Sequence, residues 1–212
     1  MPASQRIVAL FAAHNVHARP NSNTAVQLRI PITRPITGER TKMPLLARKR
    51  DSKGKLWFYV RTPGRTLGKP TPPKKGWITS DSTKRTQTVW GLVEDTSSRT
   101  LRVYRAGKEV KKYKTIVGAP TTQTPHGEFF VEESIHLPKN AAGEPYALAL
   151  SARSNIFQEF EGGPGQIAIH GRNSIGGTLG TAVSHGCIRA STGAVTWLSK
   201  HIGQGVPVTI KR

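Results

Sequence analysis

Short stretches in which apolar and polar side chains alternate recur along this chain, and they are broken by glycine, proline and small polar residues. Val26–Ile30 and Leu56–Val60 have this alternation, and Asp51-Ser52-Lys53-Gly54 supplies a turn ahead of the second. Thr62 to Lys75 holds four prolines and two glycines and is therefore expected to be loop. Gly76-Trp77-Ile78 then restarts an apolar segment. No helical period is sustained before residue 85, so residues 1–85 are expected to form a small all-β barrel. From Thr86 the pattern continues as strands at Thr88–Val93, Leu101–Tyr104, Phe129–Val131, Ile167–Ile169 and Val206–Ile210. Ala106-Gly107-Lys108 is read as a hairpin turn into Val110–Val117. One helix stands out: Ser191 or Thr192 caps Ala194–Ile202, and Gly203 stops it. No internal repeat of 20–50 residues is visible.

Composition narrows the picture. The 212 residues include 32 Lys and Arg against 12 Asp and Glu, a net charge of +20, and 36% are hydrophobic. That apolar share is enough to bury a core, so the chain is not a disordered polybasic tail. A single cysteine excludes an intramolecular disulfide framework and a cysteine-rich zinc site. The longest apolar run, Ile7–Ala13, is too short to span a membrane. It fits the first strands of a domain better than the core of a signal peptide, because no clean cleavage site follows it. If the chain is exported, its leader is expected to have been removed and replaced by a starting Met.

The charge is uneven. Residues 1–85 carry 18 Lys and Arg and 3 Asp and Glu, while residues 86–212 carry 14 and 9. This asymmetry suggests two domains, 1–85 and 86–212, with the first facing a polyanion. A nucleic-acid partner is not expected, because aromatics are only 7% and no helix-turn-helix, zinc-finger or RNP pattern is present.

Candidate chemistry converges on residues 169–189. The only thiol, Cys187, is flanked by Ser184-His185-Gly186 and Ile188-Arg189, with His170-Gly171 upstream. A thiolate is the reactive form of cysteine, and a neighbouring histidine generates it. His170 or His185 could serve as that base, and Gly186 permits a tight turn at which backbone N–H groups of Gly186 and Cys187 could face an oxyanion. Three plainer readings compete. A lone cysteine is often an inert core residue, a histidine on a strand is often structural, and His170, His185 and Cys187 could bind zinc, although a fourth ligand is missing. The glycines at 171, 176, 177 and 180 are not followed by Lys-Ser/Thr and do not make a phosphate loop.

His170-Gly171 with Ser184-His185-Gly186-Cys187-Ile188-Arg189 resembles the signature of the L,D-transpeptidases, the YkuD-type catalytic domain. Thr124-Pro125-His126-Gly127-Glu128-Phe129 and Gly205–Ile210 are similar to that family's upstream turn and closing strand. In the first half, Val16–Pro20, Trp57–Val60 and Gly76–Ile78 resemble a bacterial SH3-like domain, a wall-binding or spacer module. The resemblance implies a mainly β fold, an SH3-like barrel followed by a β-rich catalytic domain with one or a few short helices. It makes Cys187 the nucleophile and His170 the general base. His185, Ser184 and Gly171 would support the site or substrate cleft, and Arg189 would meet a substrate carboxylate, brace the loop or form a structural ion pair. The implied substrate is a peptidoglycan stem peptide, joined in a 3→3 cross-link with release of D-Ala, or trimmed if water is the acceptor. No metal or organic cofactor is needed, and carbapenem β-lactams are the expected inhibitors. The protein is expected outside the cytoplasmic membrane, with anionic wall polymer as a possible partner of the basic half. A basic wall-binding protein without turnover is the alternative.

Overall fold

β-branched and aromatic residues between turn signals form seven strands in the first half of the computed structural model: β1 (Gln5–Leu10), β2 (His14–His17), β3 (Val26–Ile30), β4 (Lys42–Arg50), β5 (Leu56–Arg61), β6 (Lys75–Thr79) and β7 (Thr83–Thr88). The structure describes residues 1–69, 71–160 and 162–212. Pro70, within the loop expected over Thr62–Lys75, lies outside the described residues. The seven strands make one antiparallel sheet in the order β3-β2-β6-β5-β4-β1-β7. The apolar run at Ile7 supplies the buried part of β1, which pairs with both β4 and β7. Asp51 closes the β4–β5 turn, accepting from the backbone N–H of Lys53 and Lys55 and from Trp57 Nε1. β7 still belongs to this sheet, and the next sheet begins at Trp90.

The second half contributes β8 (Trp90–Asp95), β9 (Thr100–Arg105), β10 (Lys108–Lys114), β11 (Val117–Gly118), β12 (Gly127–His136), β13 (Tyr146–Arg153), β14 (Gln166–His170), β15 (Ala182–Ser184), β16 (Ile188–Arg189), α1 (Thr192–His201) and β17 (Pro207–Lys211). Ala106 and Gly107 both take positive φ, 49° and 79°, which is the twist a two-residue hairpin requires. The Ser191 side chain caps α1 by accepting from Ala194 N. An eight-stranded sheet runs β10-β9-β8-β17-β12-β13-β14-β16 and is parallel only at β17–β8 and β14–β16. β11 and β15 form a separate parallel pair. Ala194, Val195 and Leu198 bury one side of α1, and Leu198 and Ile202 join the core of this sheet. Among the described residues no helix is long and apolar enough to cross a membrane.

The two halves share a buried seam. Phe130 on β12 packs into the apolar cluster of the first sheet with Val8, Leu10, Phe58 and Val60, and burying such a ring is worth about 1.5–3 kcal/mol. Beside it, β12 is out of step with β13 between Val131 and Glu133, an irregularity of the kind a β-bulge produces, and Glu132 and Glu133 are both buried there. Glu132 Oε2 accepts from Arg34 Nη2 at 2.7 Å, Arg153 Nη2 at 3.1 Å and Gln166 Nε2 at 3.1 Å. Its Oε1 accepts from Gly64 N at 2.7 Å. Glu133 Oε2 accepts from the backbone N–H of Ile36 and Thr37 and from Thr37 Oγ1. A buried carboxylate is tolerated only when its lone pairs are filled in this way. Arg34, Thr37 and Gly64 come from the first half, so the charge asymmetry seen in the sequence does not mark a loose junction.

Removing one partner of a buried ion pair costs about 3–5 kcal/mol because the other charge is stranded. Arg34→Ala is accordingly expected to lower the unfolding free energy of the full chain by an amount in that range, seen as a clear fall in its urea midpoint. A midpoint within error of the wild type would contradict the account of the seam.

Candidate active site

Alternation on β14 builds the floor of the site. Ile167 and Ile169 are buried in the core, which puts Gln166, Ala168 and His170 on the opposite face. β16 runs parallel to β14 with Ile169 opposite Ile188 and His170 opposite Arg189. Ile188 is buried opposite Ile169, so Arg189 shares the His170 face. Cys187 immediately precedes β16, next to the Ile169–Ile188 pair. Cys187 is half-buried, and its Sγ lies 3.8 Å from the carbonyl oxygen of Gln166.

His170 Nδ1 lies 2.7 Å from the Gly171 carbonyl oxygen. A carbonyl can only accept, so Nδ1 carries the proton and Nε2 presents the lone pair. Burial pushes the pKa of His170 below its ordinary 6.5; the bond to Gly171 opposes the shift and the charge of Arg189 adds to it. The ring is therefore neutral at pH 7 and able to take a proton. Its seat is made of bare backbone. A Cβ on Gly143 would stand 2.3 Å from His170 Nδ1, and one on Gly171 would stand 1.9 Å from the Glu144 carbonyl.

The cysteine loop is pinned from within and from below. Ser184 Oγ donates to the Cys187 carbonyl at 2.6 Å and accepts from Gly186 N at 3.1 Å. Gly186 turns the chain at φ 118°, a conformation that favours glycine. Its N–H is spent on Ser184, which corrects the expectation that it faces an oxyanion. Gly186 supports the loop instead. Thr122 Oγ1 donates to the Ser184 carbonyl and Thr124 Oγ1 to the Gly186 carbonyl, each at 2.8 Å. The exposed ring of His185 packs against Phe157 and Phe160, with centroids 6.0 and 5.6 Å away.

Arg189 does not form the structural ion pair held open above. Among the described residues no carboxylate lies within 4.0 Å of it, and its Nε is buried without a partner. Nor do His170, His185 and Cys187 converge as a metal site; among the described residues no group of three His, Cys, Asp or Glu side chains does. Sequence reasoning singled out the Thr-Pro-His-Gly segment but not Thr122 or Thr124 as supports of the loop. It also passed over Gly143 and Gln166, whose roles depend on strand pairing.

A half-buried cysteine beside the strand that carries a histidine with an accepting Nε2 is the kind of pair that acyl transfer through a thioester uses. A family model described as the L,D-transpeptidase catalytic domain, YkuD, matches residues 89–210, and the chain belongs to this family. It is 35% identical over 114 residues to the YkuD protein of Bacillus licheniformis, covering 54% of this chain and 61% of that one. To the YkuD protein of Bacillus subtilis it is 33% identical over 115 residues, with 54% and 62% covered. The chain thus spans about three fifths of the length of these curated relatives. Among solved structures, an L,D-transpeptidase from Mycobacterium smegmatis matches with a TM-score of 0.47 at 18% identity, covering 82% of this chain and 91% of that one.

A base whose pKa is depressed should show it in solution. The His170 ring is expected to titrate below 6.5 by NMR, and Arg189→Gln should move the midpoint upward by removing a repelling charge. Because the unfolded chain binds this proton more readily, the neutral ring's share of stability is present above pH 6.5 and is lost as pH falls towards the folded midpoint. A wild-type midpoint at or above 6.5 would contradict the assignment.

Proposed function

We propose that the protein is a peptidoglycan L,D-transpeptidase acting through Cys187. The observation that supports the reading is that Cys187 Sγ lies 3.8 Å from the Gln166 carbonyl at the start of β14, the strand that ends in His170, whose Nδ1–H is held by the Gly171 carbonyl so that Nε2 is the accepting nitrogen. His170 Nε2 takes the Cys187 proton, and sulfur attacks the carbonyl of the third residue of a tetrapeptide stem. The C–N bond to D-Ala breaks, and the leaving amine collects the proton from His170. A side-chain amine of a second stem then attacks the thioester, which forms the 3→3 amide and restores the thiol. Arg189, half-buried and with no carboxylate partner among the described residues, is suited to a carboxylate of the stem. A β-lactam of the carbapenem class would be trapped by the same sulfur. With water as acceptor the identical steps trim the stem, so carboxypeptidase activity differs only in the second half-reaction.

For the first half, an SH3-like wall-facing role is supported by its antiparallel sheet around one apolar cluster. Its charge agrees, since Arg6, Arg48, Lys84 and Arg85 line an open groove with no acidic residue. Such a surface attracts anionic wall polymer, with an affinity that falls as salt rises. Both roles belong outside the cytoplasmic membrane.

Incubation with disaccharide-tetrapeptide, followed by mass analysis, tests the reaction. Cross-linked dimer with D-Ala release is expected, and Cys187→Ala should lower the rate by about 10³-fold or more. Tripeptide alone would identify a trimming enzyme. Neither product, together with no covalent carbapenem adduct, would leave a wall-binding protein without turnover.

A further inference from the structure

The seam encloses a cavity of about 160 Å³ between the loop that follows β5 and the facing ends of β12 and β13. Four cations border it, Arg61, Arg65, Lys74 and Arg153, against the single carboxylate of Glu128. Glu128 Oε1 also accepts from Thr209 Oγ1 at 3.0 Å, and its charge acts on Arg61 without forming an ion pair with it. Only Arg153 is neutralised, by Glu132 at 3.1 Å. Among the described residues no carboxylate lies within 4.0 Å of Arg61, Arg65 or Lys74.

The two arginines of the first half are half-buried and lean on backbone carbonyls. Arg61 Nη1 rests on the Glu128 carbonyl at 2.7 Å, and Arg65 Nη2 on the Phe157 carbonyl at 2.8 Å. Arg65 Nε is buried with no partner. Arg153 stands against Arg65, donating from Nε to its carbonyl at 2.9 Å. Burial lowers the pKa of both Arg61 and Arg65; the charge of Glu128 opposes the shift in Arg61, and the charge of Arg153 adds to it in Arg65. Guanidinium groups held this way are costly unless an anion offsets them, and their planar forks match carboxylate and phosphate oxygens.

We infer that this cavity is a binding site for an oxyanion group, a carboxylate or a phosphate, built jointly by the two halves of the chain. It lies close to the reaction. Arg153 pairs in register with Gln166, whose carbonyl is the contact of Cys187 Sγ. Arg65 holds the segment whose Phe157 packs against His185. The site therefore suits an anionic group of the polymer whose stem is being cut, and only this choice of source rests on the transpeptidase reading.

Calorimetric titration of the full chain at low salt tests the inference. The probes are inorganic phosphate, N-acetyl-D-alanine for a stem carboxylate, and glycerophosphoglycerol for a wall phosphodiester. One saturable site for phosphate is expected, weakened about tenfold or more in Arg61→Gln/Lys74→Gln, the loss of a charge-assisted contact. Lys111→Gln/Lys112→Gln, on β10, should bind as the wild type does. Circular dichroism and thermal unfolding establish that each variant is folded, and Arg61→Lys, which keeps the charge, should retain most of the binding. Tighter binding of N-acetyl-D-alanine than of the diester assigns the site to the stem, and the reverse order assigns it to wall polymer. No saturable binding, or equal binding by Arg61→Gln/Lys74→Gln and wild type, overturns the inference. D-Ala release measured on the same samples separates that result from failure of the transpeptidase reading.

Discussion

The buried carboxylate of Glu132 ties together the parts of the molecule that matter for its chemistry. It receives Arg34 and the Gly64 amide from the first sheet, and Arg153 and Gln166 from β13 and β14 of the second. A charge at this depth is stable only while all of these donors remain in place. Their positions are therefore coupled, and β14 inherits the constraint. Gln166 uses its side chain on Glu132 and its carbonyl on the cysteine, so one residue links the seam to the nucleophile.

From β14 outward the site is assembled by backbone rather than by flexible side chains. The register with β16 sets Arg189 opposite His170 directly after the cysteine loop, and bare backbone at Gly143 and Gly171 seats the His170 ring. The hydroxyls of Ser184, Thr122 and Thr124 fill the polar groups of the cysteine loop. Preorganisation of this kind lets a reaction proceed without paying for reordering at each turnover. Burial is the main reason that the pKa of His170 falls, and the charge of Arg189 adds to that shift.

Much of this was legible in the sequence. Alternation located β3 and β5, an apolar segment located β14, Ala106-Gly107 located the β9–β10 hairpin, and the cap at Ser191 located α1, because each of these signals is local. The Ser-His-Gly-Cys block and His170 were visible as candidates for the same reason. The seam was not. Glu132 and Glu133, just beyond the strand read at Phe129–Val131, carried no local signal, and the irregular pairing of β12, matched by Arg34 and the 36–37 backbone from a distant segment, explains their burial. The oxyanion expectation for Gly186 failed because Ser184 Oγ lies two residues away in a tight turn, a geometry that residue spacing does not reveal. β4 and β13 also went unread, since continuous or weakly alternating apolar stretches carry little period.

The central claim is that His170 activates Cys187 across the β14–β16 pair. The rate at which iodoacetamide alkylates Cys187 near pH 6.5, followed by intact mass in the wild type and in a folded His170→Gln variant, measures that coupling directly. Because the thiolate is the reacting form, the account predicts alkylation about tenfold or more slower without the histidine. Equal rates in the two proteins would contradict it.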